Sequence, residues 1–448
     1  MRRRLRENAL CAFMAVAGCA TIAWLGLYGF AWTDYEVEAR PAFEALAHGH
    51  LDAFLRLAPA YGGSLVERAP FALLPGLWGG GPLALYRSVA VPCLLAAAML
   101  GIVLVARMRA RGASRLARAV TLGICVANPI TLLALELGHP EDLLGACLCV
   151  AAVLLAAGRG EGRARPLLAG LAIGLAIANK EWALLALGPV LLALPGGRRW
   201  PCVATAALVA GAILAPLALA ASGGFTASTR AVASAPSAIF QPWQLWWFFG
   251  HHGALVHGMF GTPKPGYRVG PEWTGKISHP LILLVGAALT LALWLRGRGG
   301  SLSEQDALLA LAFVFLLRCL LDTWDTVYYA LPFILALLSW EVGRAGRRPP
   351  ALALGATVLV WLSFQWLPAH VGADAQAALF LAWSLPLALW LGVSLFAPHR
   401  LERRGRRLAP ERPQVMTVSS LLRPVSTSRP PSLTTTRSSM RTPSSPGR

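Results

Sequence analysis

The chain has 448 residues, 56% of them hydrophobic and 14% charged, with a formal net charge of +19. A soluble chain would carry about a quarter charged residues, so a water-soluble globular domain is excluded. Nucleic acid is not an expected partner either. The arginines sit in short links between apolar runs and in the C-terminal stretch, a pattern of topology signals rather than of a basic groove.

Repeated apolar runs of about 15–22 residues define an all-α polytopic membrane protein. Arg2, Arg3, Arg4 and Arg6 precede a first run over about Ala9–Phe30. That run is too long for the apolar part of a signal peptide, about 7–15 residues, so it reads as an uncleaved first helix starting in the cytoplasm. The first loop, about Ala31–Gly81, is then external. Further runs follow at about Pro82–Ala106, Ala119–Leu137 and Leu143–Ala157. Two shorter runs, about Leu167–Ala178 and Ala183–Leu194, flank Asn179-Lys180-Glu181-Trp182 and read as an out-and-back pair. The rest lie at about Val203–Ala221, Pro280–Leu295, Ala307–Leu321, Val327–Val342, Ala351–Leu367 and Ala377–Ala397. These are about twelve apolar segments with both ends inside. Most arginines then fall on the cytoplasmic side and most acids on the outer side, so the outer face is the chemical one. A membrane domain over 1–400 is followed by a basic Ser/Thr/Pro-rich tail, 401–448. That tail has too few large apolar residues to order itself.

Eight cysteines all fall in apolar runs, Cys147 and Cys149 among them, with no metal-ligand pattern nearby. They read as small buried hydrophobes, with neither a disulfide framework nor a metal site.

The first loop holds Asp34, Glu36 and Glu38 directly after the first helix. Carboxylates beside a membrane span are costly unless they face water or a partner. Two readings of Asp34 are open: a helix-end or capping carboxylate, and the general base of a transferase. From Phe43, apolar residues recur at Leu46, Ala47, Leu51, Phe54 and Leu55 with a break near Gly49, the pattern of short amphipathic helices on the outer interface. At the next outer turn, Gly138-His139-Pro140-Glu141-Asp142, the two acids suit a helix N-terminus. His139 is not needed for that and is a candidate hydroxyl or phosphate contact. Lys180 reads either as a snorkelling cation or as a phosphate ligand beside Trp182. Arg318 reads either as the i, i+4 partner of Asp322 or as a phosphate ligand. Arg87 and Arg230 are weaker candidates of the same kind. His251-His252 with His257 lacks a zinc pattern. Trp243–Trp247 reads as an interfacial aromatic belt or, alternatively, as a sugar-stacking platform.

Asp34 after the first helix, the amphipathic loop, Asn128-Pro129 followed by Gly138-His139-Pro140-Glu141, and the short-helix stretch Gly170–Trp182 together resemble one group of enzymes. These are the GT-C glycosyltransferases that use polyprenyl phosphate sugars, and within them glycosyltransferase family 87 is the most similar. The resemblance covers about residues 1–400. It implies a GT-C-like fold in a bacterial cell membrane, with an extracytoplasmic active face. It also implies transfer of a hexose, mannose favoured, from a polyprenyl phosphate sugar to a glycolipid or glycan acceptor. Asp34 would be the base. Glu36, His139, Glu141, Lys180, Trp182, Arg318 and Arg230 would be the candidate substrate-binding residues. Besides donor, acceptor and membrane lipids, no cofactor or metal is expected. Because the donor carries its own leaving phosphate, one base and one or two cations suffice, and a single displacement inverts the anomeric carbon. Readings from other classes are a lipid or solute transporter and a non-catalytic assembly protein. The transporter would place charges at the midplane and show a repeat, whereas here the charges crowd at one face.

Overall fold

In a computed structural model of the chain, residues 2–26, 34–58, 62–75, 80–158, 162, 164–233, 241–252, 256–257, 263–264, 266–297, 300–344 and 348–397 are described. The fold is helical. Helix α1 (Arg2–Gly26) is followed, after Asp34, by a π-helical turn (Tyr35–Ala39) and three short helices, α2 (Arg40–Ala47), α3 (Leu51–Leu57) and α4 (Gly63–Ala72). Tyr35, Ala42, Phe43, Phe54 and Leu65 turn inward and form a small core with Tyr86 and Val89 of α5 (Pro82–Ala110). Burying one apolar stripe of each short helix fixes the first loop on the bundle.

The next run is broken in two. Asn128 accepts a hydrogen bond from Ile130 N at 2.8 Å and Pro129 opens a new helix, so the run consists of two helices, α6 (Arg115–Val126) and α7 (Pro129–Glu136), that share one stretch. Proline is tolerated at the first position of a helix, where its missing N–H would be unpaired anyway. Helices α8 (Glu141–Ala157), α9 (Ala164–Asn179), α10 (Leu184–Ala193) and α11 (Gly196–Ala220) follow, with α9 and α10 separated at Lys180. Next come α12 (Ser222–Ala233), two small antiparallel pairs and α13 (Glu272–Arg296). In those pairs β1 (His251–His252) joins β4 (Arg268–Val269), and β2 (Val256–His257) joins β3 (Pro263–Lys264). The chain continues through α14 (Glu304–Leu321), α15 (Leu331–Arg344), α16 (Ala351–Trp361) and α17 (Ala373–Phe396).

Among the described residues, six helical stretches are long and apolar enough to cross a bilayer: 82–110, 115–136, 196–220, 272–296, 351–369 and 373–396. Helices α9 and α10 are shorter, at 16 and 10 residues. Helices α8, α14 and α15 are buried almost all round and form the centre. The outer helices keep exposed apolar side chains such as Leu208, Leu219, Leu284 and Leu389. Apolar faces of that extent need lipid rather than water. The tail, 401–448, lies outside the described residues.

The two ends of the bundle differ. At one end Arg107 of α5 pairs with Glu304 at the start of α14, and Arg111 donates to the carbonyls of Val342 and Gly343 at the end of α15. The other end collects the start of α5, the α7–α8 turn, the end of α9 and the end of α14. The acids cluster there.

Candidate active site

Asp34 opens the π-helical turn but does not cap it, because its side chain makes no capping hydrogen bond. Its Oδ2 instead lies 3.0 Å from Nε2 of His139, 105 residues away. Gly138 brings the two together. It has φ +86°, and a Cβ there would stand 2.8 Å from Tyr35 N. Only glycine allows both that backbone conformation and so close an approach.

His139 Nδ1 lies 2.9 Å from Glu141 Oε1, so the imidazole is held between two carboxylates. Burial and the nearby Lys180 work against its protonation. The hydrogen bonds to Asp34 and Glu141 outweigh them and raise its pKa to about 9. At neutral pH the ring is an imidazolium donating on both sides.

Glu141 and Asp142 are the first residues of α8 and both are buried. The helix dipole alone would not offset the burial of two carboxylates. Cations do. Lys180 Nζ stands 2.8 Å from Asp142 Oδ2 and 3.2 Å from Glu141 Oε1. Arg68, on the inner face of α4, places Nη2 at 3.2 Å from Glu141 Oε2. Trp182 Nε1 donates to Asp142 Oδ1 at 3.1 Å, and Asn179 Nδ2 donates to Glu141 O at 2.8 Å. Three acids, Asp34, Glu141 and Asp142, therefore meet three cations, His139, Lys180 and Arg68. Ligand atoms of His139, Glu141 and Asp142 lie within 4.8 Å of one another and could hold a metal ion. Such an ion would have to displace Lys180, whose ammonium already contacts both carboxylates.

Arg318, in the last turn of α14, stacks over Tyr329 at 4.0 Å and over Trp182 at 5.2 Å. Its helix neighbour Asp322 turns instead to His279, 3.5 Å away, and to Trp324 N, 3.0 Å away. Burial would raise the pKa of Asp322, but His279 and Arg318 hold it below the usual carboxylate range. Tyr328 links the halves: its ring lies 4.4 Å from that of His139 and 5.8 Å from Lys180 Nζ.

The structure thus gathers Asp34, His139, Glu141, Lys180, Trp182 and Arg318 at one end of the bundle. Glu36 instead pairs with Arg40. Glu38 is the first-loop acid that feels His139, Asp34 and Lys180, and burial raises its pKa. Arg230 is exposed in the last turn of α12, not buried with the network. Trp243 and Trp247 are buried, donating to Ser363 O and to Asp374, so this run ties helix ends together rather than forming an open belt or platform. His251 and His252 are exposed on β1, with His252 at 3.5 Å from Asp374.

A family model for glycosyltransferase family 87 matches residues 63–323, more than half of the chain. The chain belongs to that family. No curated protein and no solved structure matches it. This family 87 protein is a membrane glycosyltransferase, which sets aside the transport and assembly readings. The matched stretch holds Arg68, His139, Glu141, Asp142, Lys180, Trp182, Arg318 and Asp322. Asp34 precedes it and is joined to it through His139. Arg68, Tyr328 and His279 escaped the sequence reading, and Glu38 was given no role there beyond being a first-loop acid. Of these, Glu38 and Tyr328 carried a signal, as an acid one turn beyond Asp34 and an aromatic pair closing an Asp-rich loop. Arg68 and His279 look like ordinary interfacial residues until the helices are packed.

Proposed function

We propose that this enzyme transfers a hexose from a polyprenyl phosphate sugar to a glycolipid or glycan acceptor on the extracytoplasmic face of a bacterial cell membrane, with inversion. The observation that carries this reading is the buried bridge from Asp34 through His139 to Glu141, at 3.0 and 2.9 Å. It offers a partly exposed carboxylate, fixed in direction and held beside a positive charge. Such a group can take a proton from an acceptor hydroxyl as that oxygen attacks the anomeric carbon. The bond from carbon to the phosphate oxygen breaks in the same step, and the lipid phosphate leaves with the electron pair.

The leaving phosphate needs a cation with a donor to offer. Lys180 is balanced by Asp142 and Glu141. Arg318 has a buried Nη1 without a hydrogen-bond partner, and a guanidinium suits phosphate oxygens. Arg318 is therefore assigned to the phosphate, and Lys180 to the charge balance of the carboxylates. Tyr328 packs against the His139 ring. Mannose is the favoured sugar by resemblance.

The test is incubation of the purified enzyme in lipid with labelled polyprenyl phosphate mannose or glucose and an extract of membrane glycolipids. A new labelled product of inverted anomeric configuration, absent with Asp34→Asn, is expected. Transfer from a nucleotide sugar instead, or full activity of the Asn variant, would overturn the reading.

A further inference from the structure

Three polar atoms of buried residues near the end of α14 have no hydrogen-bond partner, namely Arg318 Nη1, Thr323 Oγ1 and Asp325 Oδ1, beside Thr326 Oγ1 of a half-buried residue. Arg318, Thr323 and Asp325 are 5%, 1% and 1% exposed. Buried polar groups in folded proteins are nearly always paired, so each of these calls for a partner that the chain does not supply.

The three belong to one short stretch. Arg318 lies in the last turn of α14, and Thr323 and Asp325 lie in the loop that follows it. That loop is held from several sides. The carbonyl of Leu320 accepts from Leu245 N at 2.8 Å, and that of Leu321 from Trp246 Nε1 at 2.6 Å and Ser278 Oγ at 2.7 Å. Asp322 is tied to Trp324 N and His279. The orphan groups are therefore fixed, not fluctuating at the tip of a loose loop. The stretch also adjoins the bridge described above, through Trp182 and Tyr329 on Arg318 and through Tyr328 on His139.

The chemistry of the set narrows the ligand. A phosphate alone would want donors and be repelled by a carboxylate. A metal ion would want acids without a guanidinium among them. A guanidinium N–H, a hydroxyl and a carboxyl group together present donors and acceptors, as a polyol attached to a phosphate requires. Burial and the neighbouring Asp322 also raise the pKa of Asp325 well above the usual carboxylate range. Arg318 and hydrogen bonds from Cys319 and the Thr326 backbone oppose that shift without cancelling it, and a carboxyl group that takes up a proton can both donate to and accept from a sugar hydroxyl.

We propose that Asp325 and Thr323 form the subsite that reads hydroxyl groups of the transferred sugar, with Arg318 on the phosphate beside it. This rests on the donor being a lipid-linked sugar phosphate, as proposed above. Asp325 and Thr323 then set which hexose is accepted, while Asp34 acts on the acceptor.

The test is binding to the full-length enzyme in detergent, read by tryptophan fluorescence. The probes are polyprenyl phosphate mannose, polyprenyl phosphate glucose and sugar-free polyprenyl phosphate. Wild type should bind one of the sugar-bearing lipids more tightly than the sugar-free one. Asp325→Leu and Thr323→Val, both close in shape to the residues they replace but without their polar atoms, should each weaken that lipid by about tenfold, the scale of one lost hydrogen bond. Both should leave the sugar-free lipid unchanged, which also reports an intact fold. Arg318→Gln should weaken all three lipids. The subsite is overturned if the Asp325 and Thr323 variants bind every lipid as wild type does, or lose sugar-bearing and sugar-free lipids equally. It is also overturned if wild type draws no affinity from either sugar. Binding of none of the lipids by wild type would overturn the donor reading itself.

Discussion

Replacing His139 by glutamine removes the imidazolium that stands between Asp34 and Glu141 while leaving a side chain that can still donate from one end. The folded protein holds the His139 pKa at about 9, against an ordinary value of 6.5. Each pKa unit corresponds to about 1.4 kcal/mol, so protonation of this ring contributes about 3 kcal/mol to stability. Because the folded value is the higher one, that contribution is complete below about pH 6.5 and is lost as pH rises through about 9. A neutral imidazole has a single N–H for two carboxylates, so alkaline pH also frees Asp34 or Glu141 from its donor. Thermal unfolding of the wild type in detergent should show a melting temperature that falls across this window. His139→Gln should start lower and lack the alkaline fall. Its transfer rate at neutral pH should drop about ten- to a hundredfold, the scale of one charge-assisted hydrogen bond. Full transfer by the variant, or the same alkaline fall in both proteins, would refute the bridge as a working part of the site.

Asp34→Asn should lower transfer by about 10²–10⁴-fold, the range for loss of a general base, with a melting temperature lowered at neutral pH because His139 loses one of its two carboxylates; a folded, fully active variant would remove Asp34 from the chemistry. Lys180→Gln leaves Asp142 and Glu141 short of a buried cation and should destabilise the fold by about 3–5 kcal/mol. The double variant Lys180→Gln with Asp142→Asn should regain part of this in unfolding experiments, and strict additivity would show that the pair does not interact. Gly138→Ala forces a side chain into positive φ against Tyr35 and should cost at least about 1 kcal/mol; displacing Asp34 from His139, it should lower kcat more than it raises the acceptor KM. Arg318→Gln should cut kcat/KM for the donor about ten- to a hundredfold, and a loss confined to the acceptor would move the phosphate elsewhere.

What the sequence determined is what depends on local composition and spacing. Long apolar runs can only be satisfied as helices in lipid, so the helical membrane class was legible, as was the punctuation by Asn179-Lys180, whereas the break at Asn128-Pro129 lay hidden inside what reads as one run. The amphipathic spacing from Phe43 to Leu55 likewise marked the short helices that pack on the bundle. An acid just past the first helix, a Gly-His-Pro-Glu-Asp turn, a lone lysine between short helices and an arginine inside an apolar run were each visible as costly residues needing a reason. What the sequence could not determine is how those costs cancel. A buried charge is tolerable only opposite its partner, and the partners lie far apart along the chain: Asp34 with His139, Arg68 with Glu141, Lys180 with Asp142. Only packing decided that Lys180 is balanced by carboxylates while Arg318 keeps a donor open, that Asp34 bonds to the histidine while Glu36 pairs with Arg40, and that the tryptophans at 243 and 247 are buried. Pairing at short range in a water-poor interior depends on distances of a few ångströms, and the fold alone sets those distances.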